Sequence, residues 1–141
     1  MSTLLPAIAR LDLVAVGDVM HAGVIGCDPA APLAGIASVL AREQIHCVIV
    51  SRVEHTPSGE RIAWSAISAT DLVRALDASD TSVTAERLAS DPIVTVDPDD
   101  SVARAVQLMA EHDTAHLVVV RNDFPVGILS ALDVARAASG R

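Results

Sequence analysis

The chain has 141 residues, 51% of them hydrophobic and 20% charged, which excludes a fibrous or disordered polymer and fits one globular domain or two very small ones. Aromatics make up only 1% (Trp64 and Phe124, no Tyr), so the core is assembled from short aliphatic side chains, with 24 alanines in the chain. Ten Lys and Arg stand against 18 Asp and Glu, and the net charge of −8 opposes the counterion release on which nucleic-acid binding depends.

Mean hydropathy is +0.44, yet Asp, Arg, Pro or Gly interrupts every apolar run well before the roughly 20 residues that cross a bilayer. The first residues, MSTLLPAIARLDLV, lack the basic start, long apolar stretch and small-residue cleavage site of a secretory signal, so a cytoplasmic location is expected, without membrane insertion. Cys27 and Cys47 form no C-x-x-C motif and read as free, buried thiols.

In chain order, Val24-Ile25-Gly26-Cys27-Asp28-Pro29 leads into a helical pattern. Leu33, Ile36, Ala37, Leu40 and Ala41 fall at i, i+3, i+4, i+7 and i+8, one buried stripe, with Pro32 suited to the first turn. Cys47 to Val50 is a continuous apolar strand, covered on both faces. A long polar tip, Glu54 to Glu60, separates it from a second strand, Arg61 to Ile67. Ser68-Ala69-Thr70-Asp71 then opens a helix, and Asp77 to Ala89 forms a link with a short helix over 84–89.

The same order returns. Ile93-Val94-Thr95-Val96-Asp97-Pro98 repeats the leading strand 69 residues on, counted between Asp28 and Asp97. Ser101 is a helix N-cap, followed by Val102, Ala105, Val106, Met109 and Ala110 on one stripe. Leu117 to Val120, a tight Arg121-Asn122-Asp123 turn and Pro125 to Leu129 make a second hairpin, and Ser130-Ala131-Leu132-Asp133 opens the last helix. The offset from Asp71 to Asp133 is 62, so the first hairpin is seven residues longer. The predicted fold is α/β (α+β), two βαββα repeats packed as a pseudo-twofold pair: an N-terminal arm over 1–13, repeat 1 over 14–78, a linker over 79–83 and repeat 2 over 84–141. Repeats this small bury too little surface alone, so the two copies are expected to share a core.

Both serine–aspartate pairs fall where a strand ends and a helix begins, a place of free backbone N–H groups that suits anionic or polar ligand groups. A carboxylate there can accept both hydroxyls of a ribose, and Ser68, Thr70 and Ser130 can donate to phosphate oxygens. The plainer role is a helix cap, since S-x-x-D before an apolar helix is a capping motif; two copies in matching context, each with Arg74 or Arg136 three residues later, favour a shared binding role. His112 and His116 span a helix end and a strand start and read as solvated and packed histidines rather than a metal pair. No nucleophile elbow, Walker loop, H-E-x-x-H or Gly-rich dinucleotide turn occurs, so no enzymatic activity is expected.

Three segments carry a family resemblance: Val16-Gly17-Asp18-Val19-Met20, His116-Leu117-Val118-Val119-Val120 and Gly127-Ile128-Leu129-Ser130-Ala131-Leu132-Asp133. From about Val14 to Ala138 the chain resembles a tandem pair of cystathionine-β-synthase (CBS) domains, the Bateman module. It departs from the family pattern at Ser65, where the exit glycine stands, at Val118, where proline is common, and at Leu132, where Thr70 supplies a hydroxyl in the first copy.

The resemblance implies a non-catalytic regulatory sensor of an adenosine-containing ligand, of the AMP, ADP, ATP or S-adenosylmethionine class, with no required cofactor or metal. It implies a homodimer that modulates a partner protein. One pocket would join Ser68, Thr70 and Asp71 to Pro92, Val94, Thr114 and Ala115; its mirror would join Ser130 and Asp133 to Gly23, Ile25, Ile45 and His46. The candidates for meeting phosphates are His46, His116, Arg74, Arg136 and Arg121, and Thr70 inclines the Asp71 pocket toward phosphorylated ligands. The alternative is a ligand-free pair acting as a dimerisation scaffold.

Overall fold

The computed structural model of the chain describes residues 10–45, 47–79, 82–89 and 94–140. After a 3-10 turn at Leu11–Leu13 come α1 (Val16–Val19), β1 (His21–Ala22), β2 (Gly26–Cys27), α2 (Leu33–Glu43), β3 (Cys47–Thr56), β4 (Gly59–Ser68) and α3 (Ala69–Asp77). They are followed by α4 (Ala85–Leu88), β5 (Thr95–Val96), α5 (Val102–His112), β6 (His116–Arg121), β7 (Phe124–Ser130) and α6 (Ala131–Ala138). The elements fall into two units. One combines the described residues up to Val24 with those from Val94 onward; the other holds those from Ile25 to Ala89.

In the Ile25–Ala89 unit the sheet order is β2-β3-β4. β2 and β3 run parallel, with Gly26 beside Ile49, and α2 supplies the crossover that parallel neighbours require. The stripe read from the sequence is real: Leu33, Ile36 and Leu40 are buried with Val48, Val50, Ile67, Ala75, Ala85 and Ala89 in one core. Pro32 stands one position earlier than expected, at the N-cap, and α2 ends at Gln44 in the left-handed region (φ 53°). The short helix α4 belongs to this unit, its Ala85 and Glu86 N–H groups donating to the Ala31 and Pro29 carbonyls at 2.8 Å each.

The other unit has the order β1-β7-β6-β5. Ser101 caps α5 as expected, its Oγ accepting the Arg104 N–H at 3.0 Å, and Asp113 ends the helix with φ 49°, repeating the geometry of Gln44. Val16, Val96, Ala105, Leu117, Val119 and Leu129 form the core. The turn between β6 and β7 places Asn122 and Asp123 at φ 53° and 68°, the backbone that matches the twist of a two-residue hairpin.

Two expectations are corrected. The polar tip over 54–60 is mostly strand: β3 runs to Thr56 and β4 starts at Gly59, leaving Pro57 and Ser58 as the turn. Cross-strand pairing explains this, because Glu54 faces Arg61 with an ion pair of 2.9 Å and Val53 faces Ile62. Of the two free thiols only Cys47 is buried; Cys27 is half-buried. Among the described residues no helix is long and apolar enough to cross a membrane.

Candidate functional site

The strand-to-helix junctions carry the predicted serine–aspartate pairs as capping boxes. At the start of α3 the Ser68 N–H donates to Asp71 Oδ2 at 2.9 Å, and the Asp71 N–H donates to Ser68 Oγ at 3.1 Å. This reciprocity satisfies two donors that a helix start leaves unpaired. Asp71 Oδ1 faces Arg74 Nη1 at 3.9 Å, and the Asp71 side chain keeps 19% of its surface exposed. One carboxylate oxygen therefore holds the helix while the other remains able to accept.

At the start of α6 the arrangement repeats and then tightens. The Ser130 N–H and Oγ donate to Asp133 Oδ2 at 2.8 and 3.0 Å, and the Asp133 N–H donates to Ser130 Oγ at 3.2 Å. Arg136 Nη1 lies 3.9 Å from Oδ1, matching Arg74. Here, however, His21 Nδ1 sits 3.1 Å from Oδ1 and 3.2 Å from Oδ2, and the Asp133 side chain is 1% exposed. The two aspartates share a motif and differ in access.

Asp71 opens onto a cavity of about 530 Å³ lined by Asp71, Arg74, Ala75, Ala78, Val83, Arg87 and Leu88, all in the Ile25–Ala89 unit. Its lining combines the apolar side chains of Ala75, Ala78, Val83 and Leu88 with one carboxylate and two guanidinium groups. Beside this junction Cys47 pairs with Ser68 across β3 and β4, and burial first, then the Asp71 carboxylate, push its thiol up to about 12. Burial and Asp28 raise the half-buried Cys27 thiol as well.

The remaining predicted residues distribute as follows. Thr70 is exposed beside Asp71 on the first turn of α3. Ile25 and Ile45 belong to the same unit; the Ile25 carbonyl accepts the Ile49 N–H at 3.0 Å, and Ile45 packs on the core. In the other unit the Ala115 carbonyl accepts the Ala131 N–H at 2.9 Å, which brings Ala115 to the Ser130 junction. Thr114 Oγ1 accepts the His116 N–H at 3.3 Å, Gly23 donates to the Val126 carbonyl, and the Val94 carbonyl accepts the Val118 N–H. Pro92 and His46 lie outside the described residues. Arg121 is committed to Asp99 at 3.1 Å. His21 and Arg87 had no sequence signal: one follows a four-residue helix, the other sits inside one, and only the fold brings them to the aspartates.

The fold defines a class of protein built from two βαββα units. Among solved structures it is similar to the CBS domain of a bacterial CNNM/CorC family Mg²⁺ transporter, at a TM-score of 0.77 and 16% identity over 98% of this chain and 82% of that one. It is similar to a hexameric CBS-CP12 protein from bloom-forming cyanobacteria, at 0.75 and 18% over 86% and 69%. It is also similar to the CBS domain pair of protein MJ0100, solved with 5′-methylthioadenosine and S-adenosylmethionine, at 0.74 and 20% over 87% and 98%. Curated protein sequences give no match. Residues 85–140 match the CBS domain family model, and the chain has the fold of a tandem CBS pair.

Proposed function

We propose that the chain is a non-catalytic sensor that binds an adenosine-containing ligand at Asp71 and passes the bound state to a partner protein. The observation that carries this reading is the open cleft beside Asp71, about 530 Å³, which sets a carboxylate and two guanidinium groups next to apolar side chains. Asp71 Oδ1 would accept ribose hydroxyls, since an ionised carboxylate brings acceptors and no competing proton. Arg74 and Arg87 would meet phosphate or carboxylate groups, with Arg74 preferred among the basic candidates because it already faces Asp71. Ala75, Ala78, Val83 and Leu88 would cover the apolar part of the ligand. The ligands seen with the MJ0100 pair, both adenosine derivatives, support the class. Coupling to a partner is reciprocal, so a partner that tightens ligand binding is itself held better when the ligand is bound.

A second reading, a ligand-free scaffold for dimerisation, is favoured by the covered state of Asp133. A thermal-shift panel with AMP, ATP, 5′-methylthioadenosine and S-adenosylmethionine separates the two. Ligand at 100 times its dissociation constant stabilises by about 2.7 kcal/mol. A shift that disappears in Asp71→Asn supports the sensor; no shift with any of the four compounds supports the scaffold.

A further inference from the structure

Asp133 has an equivalent serine partner and the same arginine distance as Asp71, yet its side chain is 1% exposed against 19%, and among the described residues a histidine covers Asp133 alone. We infer that His21 is a built-in occupant of the Asp133 carboxylate, an autoinhibitory contact that leaves Asp71 the more open of the two capping aspartates until the imidazole moves away. This inference rests on the ligand reading of Asp71 given above.

Both oxygens of Asp133 have close partners. Oδ2 takes the Ser130 N–H and hydroxyl, and His21 Nδ1 lies within 3.2 Å of both oxygens, with Arg136 beyond. A ligand hydroxyl reaches Oδ1 only by displacing the ring. The ring itself is 64% exposed, so its departure sacrifices little packing. The backbone that carries it is fixed: His21 pairs with Ile128 across β1 and β7. Its carbonyl comes so near Gly127 that a Cβ there would lie 2.6 Å from the oxygen. Ser65, the corresponding residue of the other repeat, does carry a side chain. The glycine thus lets β1 approach closely enough to set the imidazole over Asp133.

AMP titration calorimetry on the full chain, with AMP as the probe, tests the consequence. Wild type is expected to bind one AMP per chain, with binding lost in Asp71→Asn and retained in Asp133→Asn. His21→Ala is expected to bind two, the second lost when Asp133→Asn is added. Unchanged stoichiometry in His21→Ala, or loss of wild-type binding in Asp133→Asn, overturns the inference. The contact is read separately, without ligand, from the ¹⁵N resonance of His21 Nδ1: Asp133→Asn should move it, and an unmoved resonance overturns the contact whatever AMP does. If the resonance moves but neither wild type nor His21→Ala binds AMP, the ligand reading of Asp71 fails and the excluding role of His21 fails with it.

Discussion

Gly127 and His21 meet at a separation that no side chain at 127 would permit, since a Cβ there would stand 2.6 Å from the His21 carbonyl oxygen and 2.7 Å from the Met20 sulfur. The carbonyl is backbone held in a ladder with Ile128, so it cannot simply rotate aside. Gly127→Ala is therefore expected to destabilise the protein by about 1–3 kcal/mol through overpacking. A urea midpoint equal to wild type would show that β1 yields without cost.

The two aspartates should respond unequally to removal. Asp71→Ala deletes a cap whose other oxygen is open, a loss of about 1 kcal/mol. Asp133→Ala deletes the same cap and strands the Ser130 N–H beside a buried void, a further 1–3 kcal/mol or so. Denaturant midpoints should order wild type, Asp71→Ala, Asp133→Ala from most to least stable; the reverse order of the two variants would contradict the assigned burial.

Cys47 supplies a pH dependence. Its thiol is raised to about 12 in the folded chain, chiefly by burial and secondly by Asp71, from an ordinary value of 9.0. Above pH 9 the unfolded thiol loses its proton while the folded one keeps it, so the unfolded state binds fewer protons and stability falls as pH rises from about 9 to about 12. The slope at full effect is about 1.4 kcal/mol per pH unit. Comparing wild type with Cys47→Ala across that window should show the steeper decline in wild type, the shallower remainder in the variant coming from the raised Cys27 thiol. In native protein at pH 8, a thiol reagent should also label Cys27 before Cys47, because the thiolate is the reactive form.

The Glu54–Arg61 pair on the first hairpin is short, at 2.9 Å, but its side chains are 40% and 69% exposed. Solvent screening limits such a pair to about 0.2–1 kcal/mol. A double-mutant cycle with Glu54→Ala and Arg61→Ala should give a coupling in that range that shrinks in 1 M salt; a larger, salt-insensitive coupling would require a drier environment than the fold provides.

Legibility in the sequence followed how local each signal was. The helical stripe at Leu33, Ile36 and Leu40, the Ser101 cap and the two serine–aspartate boxes depend on residues within one or two turns of each other, so spacing alone revealed them. At the hairpin tip Glu54, His55 and Glu60 are polar and carry a loop signal along the chain; their cross-strand partners make them strand, and pairing is not visible along one strand. His21 over Asp133 joins residues 112 positions apart and could only be seen in the fold.

The long first hairpin has one more consequence. β2 flanks β3 only at Ile49 and Val50, so among the described residues the outer side of 51–56 has no neighbouring strand. Such a bare margin is a template on which another chain could add, and the Glu54–Arg61 ion pair and Glu60 put charge along this hairpin. Those charges discourage stacking of one molecule on the next, a protective task separate from any ligand and sufficient reason for so polar a tip.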